Sequence, residues 1–412
     1  MARAATCPDA SLWNVPGDVR ATVRRRTPSL IPLAVPNLAG REAEYLQECI
    51  DSTFVSSVGP FVDRFESMVA GSAGTAGSVA VSAGTTGLHL VLHAIGVGPG
   101  DLVALPSLTF VASANAIAHC GADPWLFDVA EESWTLDPEQ LLDAFRRDLT
   151  PGERGPIRRD TGRRVAAILP VHTLGHPADL DAIAGIGRGF GVPVVADAAA
   201  AMGARYRGRA IGEAQVAASV FSFNGNKTVT AGGGGAVASD DRDLLARLRH
   251  LSTTARVGSE YDHDEVGFNY RMTNLQAAVG CAQLEQLAGF VERKRWVQSA
   301  YSAAFSGSSG VASFPEADWA RSACWFAGAF LHGWEPEAIT QLREDLREDG
   351  IDARAFWKPM HLQRPYRHCP VEPQPVAERV WPRILTLPCS TSITDAEVAQ
   401  VVVSVRSRLS RP

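Results

Sequence analysis

The run S-F-N-G-N-K-T-V-T-A-G-G-G-G-A-V, Ser222 to Val237, decides how the rest of the chain is read. An apolar segment, Val216 to Phe223, ends in a polar loop. Four glycines, Gly232 to Gly235, then lead into a second apolar segment, Ala236 to Ser239. Short apolar runs bounded by Gly and Asn read as buried strands, and the glycines let the backbone pass close to something bulky. In the middle of the loop stands Lys227, one of three lysines (with Lys294 and Lys358) in a chain with 39 Lys+Arg residues. An ammonium, unlike a guanidinium, can lose its proton and attack a carbonyl. Lys227 is the candidate nucleophile.

Upstream of this run the pattern alternates. Strands are expected at Ser78–Ser82, Leu102–Leu105, Pro124–Val129, Val165–Val171 and Val192–Ala196. Helices are expected from about Gly87, over Leu108–His119, over Asp137–Arg147 and over Asp179–Phe190, and a polar loop over Thr150–Gly162. This alternation predicts an α/β fold with a mostly parallel sheet covered by helices on both faces. Ligands of such sheets sit at the carboxyl ends of the strands. Asp197 lies at one of those ends, with no second carboxylate near it in A-D-A-A-A-A-M-G. Gly84-Thr85-Thr86, between a strand and an apolar helix, has the order of a phosphate-binding turn, in which backbone N–H groups and the helix dipole face an anion. His172 and His176, in V-H-T-L-G-H-P, are read as hydrogen-bonding histidines at a strand end; no metal site is expected.

Downstream, Thr273 and Gln276 form a capping box that opens a long helix expected to run towards Trp296. Lys294, within E-R-K-R-W on that helix, is expected to be solvated. Further helices are expected from Pro336 to near Glu348, with Gly350 just past the end, and from Thr394, burying Val398, Val401, Val402, Val405 and Leu409. The expected organisation is an arm over 1–30, a large domain over 31–285 and a smaller C-terminal α+β domain over 286–412.

Composition excludes several classes. A net charge of −6 argues against nucleic acid as a partner, and Arg24-Arg25-Arg26 reads as a solvated arm. No apolar run reaches the roughly 18–20 residues of a membrane span, and no signal-peptide pattern opens the chain. Seven scattered cysteines without C-x-x-C spacing fit reduced core thiols of a cytoplasmic protein.

A lysine, a strand-end acid, an aromatic at Phe110, a hydroxyl at Ser222 and a phosphate turn are together what pyridoxal phosphate requires: an amine for its aldehyde, an anion for its ring nitrogen, a face for its ring, donors for its phosphate. No G-x-G-x-x-G or Walker pattern competes. The segments Ile31–Glu66, Ser107–Asp128, Val171–Asp181, Asp197–Asp240, Gly267–Gln283 and Ala355–His361 resemble the DegT/StrS-type sugar aminotransferases, pyridoxal-phosphate enzymes of fold type I, over about residues 31 to 405. S-F-N-G-N-K and D-S-T-F-V-S-S-V-G most resemble the branch making 4-amino sugars for legionaminic-acid-type surface glycans.

The resemblance implies that Lys227 forms the internal Schiff base and then moves the proton, that Asp197 partners the ring nitrogen and that Phe110 stacks on the ring. It implies Gly84, Thr85, Thr86 and Ser222 as phosphate ligands, with Asn269 reaching the cofactor of a neighbouring subunit in a homodimer. It implies Asn224, Lys358 and His361 on the substrate side, L-glutamate as amino donor and a nucleotide-linked keto sugar as acceptor. One position departs from the family: Ala200 stands where Gln or Glu is usual. Two other readings are a sugar dehydratase, which needs histidine in place of Lys227, and a binding regulator without turnover, against which the Lys227/Asp197 pair argues.

Overall fold

The computed structural model describes residues 30–409; the arm expected over 1–30, Arg24–Arg26 included, lies outside them but for its last residue. The first part of the chain holds strands β1 (Gly77–Val81), β2 (Leu102–Pro106), β3 (Asp123–Phe127), β4 (Val165–Ile168), β5 (Val195–Asp197), β6 (Ala218–Ser222) and β7 (Gly235–Ser239). Its helices are α1 (Glu42–Asp51), α2 (Pro60–Ala73), α3 (Gly84–Ala94), α4 (Val111–His119), α5 (Pro138–Asp148), α6 (Leu180–Phe190), α7 (Arg242–Ser252) and α8 (Asn274–Leu284). The strands β1-β7-β6-β5 form one run and β4-β2-β3 another. Parallel bridges Ile168↔Val194 and Val171↔Asp197 join β4 to β5, giving one sheet. Only β7 runs against its neighbours.

Side chains alternate across the sheet as the period of 2 requires. On β6 and β7, Phe221 and Ala236 face one helical layer, with Phe65 of α2 and Phe145 of α5. Val220 and Val237 face the other, with Leu88 of α3, Ile117 of α4 and Leu248 of α7. The two layers explain why the strands read as continuous apolar runs. Emptying one such position, as in Phe65→Ala, costs about 3–5 kcal/mol.

Several expected boundaries move. The helix over Leu108–His119 begins only at Val111, because Phe110 keeps an extended backbone (φ −71°, ψ 142°) as its N-cap. The first of the helices begins earlier than Gly87, at Gly84, so the phosphate turn is itself the first turn of α3. The loop Thr150–Gly162 contains a short hairpin pairing Leu149–Thr150 with Ile157–Arg158. The helix capped by Thr273 stops at Leu284, and a second, α9 (Leu287–Phe305), starts after Glu285–Gln286 instead of continuing unbroken to Trp296. We keep the domain division at 285/286, where this break falls, as a proposal.

The C-terminal part adds α9, α10 (Pro336–Glu348), α11 (Pro375–Val380) and α12 (Asp395–Leu409) around an antiparallel sheet. Its strands are β8 (Ala327–Phe330), β9 (Arg354–Ala355) and β10 (Ile384–Leu387), with β10 in the middle. Val398, Val401 and Val405 of α12 are buried, and Val402 and Leu409 are half-buried at the edge of the same core. Ile31 and Leu33 join this layer, Ile31 through its N–H to Gly350 O (2.7 Å) and Leu33 through its carbonyl to Cys389 N (2.8 Å). Lys294 corrects the expectation of solvation. It is buried, its Nζ donating to Trp325 O at 2.9 Å and lying 3.7 Å from Cys389 Sγ. It occupies the place of an apolar residue in the stripe Phe290, Val291, Val297, Tyr301, Phe305 that α9 buries.

Candidate active site

β5 and β6 end side by side, in parallel register with Val220 opposite Asp197. Their ends open into a cavity of about 410 Å³ lined by Asp197, Lys227, Ser222, Gly84, Thr85, Phe110 and Asn224 together with residues of the C-terminal domain. That volume suits a small organic ligand.

Asp197 is buried, and burial pushes its carboxyl above the usual range against three opposing influences. Ser113 Oγ donates to Oδ2 at 2.7 Å, Ala199 N–H donates to Oδ1 at 3.0 Å, and the charge of Lys227 favours the anion. Burial lowers the Lys227 amine from its ordinary value to about 8, with the nearby Asp197 charge acting the other way. Its Nζ lies 4.0 Å from the ring centre of Trp325, close enough for a cation–π contact. Trp325 is itself fixed, its Nε1 donating to Asn226 O at 2.8 Å.

The N-terminus of α3 meets β6 beside this pair. A Cβ on Gly84 would stand 2.9 Å from Ser222 Cβ, and one on Gly235 would stand 2.6 Å from the Ala83 carbonyl carbon. The close approach foreseen for the four glycines is therefore, at Gly235, to the backbone that opens α3. The leading N–H groups of a helix have no partner within it, and here they border the cavity at Gly84 and Thr85. Thr86 does not line it. Its hydroxyl accepts from Ala83 N at 3.0 Å and donates to Ala83 O at 2.8 Å, holding the helix start.

Three other expected residues also lie outside the lining. Asn269 is exposed, in a backbone bridge with Thr253. Lys358 is exposed. His361 is held by Ser107 (Oγ to Nδ1 2.7 Å) and by Glu378 (3.1 Å to Nε2). The neighbours of Lys358 take the place expected of it: Arg354, Ala355, Phe356 and Trp357 all line the cavity. Phe110 lines it while 51% exposed, its ring centre 5.6 Å from that of Trp357.

Sequence reading missed Ser113, Trp325 and Trp357. Ser113 carries no local signal, one small residue in V-A-S-A-N-A. The two tryptophans belong to a domain whose docking no local pattern encodes.

The residues fit pyridoxal phosphate. A buried carboxylate with two donors awaits a cation, a buried amine of lowered pKa stands in the same cavity, and helix N–H groups with Ser222 border one end. Fold and pocket together are those of a pyridoxal-phosphate-dependent aminotransferase. The match to the DegT/DnrJ/EryC1/StrS aminotransferase family spans residues 36–406, and the chain belongs to that family. It is 37% identical over 377 residues to GDP-perosamine synthase of Caulobacter vibrioides, covering 91% of this chain and 97% of that one. Among solved structures it superposes on DesV of S. venezuelae (TM-score 0.80, 31% identity, 90% and 95% of the two chains). It also superposes on DesI, determined in the presence of its TDP-sugar product (TM-score 0.79, 30% identity, 93% and 95%).

Proposed function

We propose that the acceptor is a ketone on a nucleoside-diphosphate-linked sugar and that the amino donor is L-glutamate. One observation carries this reading. Lys227 and Asp197 share a cavity that Trp325, Phe326, Phe356 and Trp357 also line, a surface suited to the apolar faces of a sugar ring. The products named for two relatives, GDP-perosamine and a TDP-sugar, support a nucleotide-linked acceptor in general. The branch suggested by S-F-N-G-N-K, a 4-amino sugar of a surface glycan, is the narrower form of the same proposal.

Pyridoxal phosphate, when bound, supplies a carbonyl that takes the donor's amine and a ring that accepts the electrons of a breaking C–H bond. The chain's groups do the rest. Lys227 Nζ, poised near pH 8, takes a proton from one carbon and returns it to another. Asp197, kept in place by Ser113 and Ala199 N–H, holds the proton on the ring nitrogen. The first turn of α3 with Thr85 and Ser222 binds the phosphate, Phe110 covers the ring, and Asn224 meets the substrate. Arg354, at the cavity and paired with Asp352 (2.7 Å), offers a cation to the carboxylate of glutamate or to a diphosphate.

A homodimer belongs to this reading. Phe110 is half exposed in a single chain, and Asn269 lies outside its own chain's cavity, where a second copy could receive it. No helix among the described residues is long and apolar enough to cross a membrane.

The test is optical. Purified protein with pyridoxal phosphate is expected to be yellow, to bleach with L-glutamate and to recover its colour with a nucleotide-linked 4-keto sugar. Bleaching with glutamate but no recovery across GDP-, UDP- and dTDP-linked keto sugars would defeat the acceptor assignment.

A further inference from the structure

His172 is buried in the wall of the same cavity, and its Nε2 has no hydrogen-bond partner. Its other ring nitrogen accepts the N–H of Ala178 at 2.9 Å. An acceptor at Nδ1 fixes the neutral tautomer with hydrogen on Nε2. Burial, with the neighbouring His176, lowers its pKa to about 3, so the ring stays neutral throughout the working range. A buried N–H without an acceptor costs about 1–3 kcal/mol, and among the described residues no other side chain lining the cavity has a buried polar atom without a partner.

The strand order says what faces it. Asp197 ends β5, which has β6 on one side and β4 on the other. Ser222, the start of α3 and the loop of Lys227 all lie on the β6 side. His172 follows β4, its backbone N–H donating to Asp197 O at 3.0 Å. A ring with its nitrogen at Asp197, its carbonyl towards Lys227 and its phosphate at α3 turns the opposite edge, which carries the phenolic oxygen, towards β4. Ala200 also lines the cavity but has no polar atom in its side chain to offer there.

We propose that His172 Nε2–H is the donor to the phenolic oxygen of bound pyridoxal phosphate, serving where Ala200 provides none. It acts as a positioning residue: it fixes the tilt of the ring and tunes the proton on the Lys227 nitrogen. A donor on that oxygen draws off electron density that would otherwise help hold this proton, so losing the donor raises the pH at which it leaves. The inference rests on the cofactor reading. The titratable groups near His172 are His176, whose charge acts on it, and Asp197, Lys227 and Arg354, which line the same cavity, and none of them is changed in the variants below.

The experiment is a pH titration of the visible absorption of the bound cofactor, with cofactor affinity measured by dialysis, in the wild type, His172→Phe and His172→Gln. His172→Phe keeps a ring without a donor; His172→Gln keeps a donor and an acceptor. The expected result is a midpoint raised by about one pH unit or more in His172→Phe, cofactor affinity lowered by roughly tenfold, and His172→Gln lying nearer the wild type in both. A yellow His172→Phe protein with unchanged midpoint and affinity would overturn the assignment and leave the cofactor reading standing. Equal losses in both variants that follow loss of folded protein, seen by circular dichroism, would also overturn it, making His172 a structural residue. A colourless wild type would instead sink the cofactor reading itself.

Discussion

The cavity has two walls of opposite character. One, from the first domain, is polar and drawn from strand ends: Asp197 on β5, Ser222 on β6, Lys227 just beyond and the first turn of α3. The other is aromatic and comes from the C-terminal domain. Trp325 stacks on Phe326 at 3.9 Å between ring centres, and Phe356 on Trp357 at 4.5 Å. The polar wall is rigid because a parallel sheet fixes the relative positions of its strand ends. The aromatic wall is held by long-range contacts, chiefly Trp325 Nε1 to Asn226 O and Lys294 Nζ to Trp325 O. We propose that this difference divides the work: the sheet side performs the chemistry common to both half-reactions, and the aromatic side discriminates the acceptor.

That assignment can be broken in order of expected effect. Lys227→Ala should lower the turnover of both half-reactions by at least about 10³-fold, measured in stopped flow; comparable turnover in the variant would remove the lysine from its role. Asp197→Asn should lower both by roughly 10²-fold, and a loss confined to the sugar half-reaction would contradict the division of labour between the walls.

Cofactor uptake by protein stripped of pyridoxal phosphate should depend on pH through Lys227. The attacking form is the neutral amine, so a pKa lowered to about 8 means that uptake rises about tenfold per pH unit below that value and levels above it. A rate still climbing to pH 10 would show an unshifted lysine. The smallest effect belongs to Trp357→Ala. It should raise KM for the keto sugar by roughly tenfold, about 1.4 kcal/mol, while leaving the glutamate half-reaction within about twofold. Equal change in both would erase the contrast.

The polar wall was largely legible in the residues. Asp197 and Lys227 follow buried strands, and a residue at the end of a strand in a parallel sheet points to the binding crevice wherever the strand lies. The aromatic wall was not. Lys358 and His361 were expected to face the substrate, whereas the chain turns their neighbours Phe356 and Trp357 inward, and His361 is spent on Ser107 and Glu378. Thr86 was expected at the phosphate and instead secures the helix start. Lys294 shows the same limit in a helix. Its charged neighbours suggested a solvated face, while the spacing of Phe290, Val297 and Tyr301 already marked its side of α9 as inward.

The sequence by itself determined the alternating α/β plan and the strand-end places of Asp197 and Lys227, because periodicity and strand ends are local properties of the chain, and its resemblance to a family determined the aminotransferase class. The tertiary structure alone decided which edge of the cavity His172 occupies and which aromatics face Lys227. It also showed that the glycine run serves in part to let Gly235 pass against Ala83. These depend on strand order and on the docking of one domain against another, and both are set by contacts between residues tens to hundreds of positions apart, which no local pattern records. Lys227 needed only its own neighbours in the chain to be noticed; Trp325, 98 positions later, needed the fold to reach it.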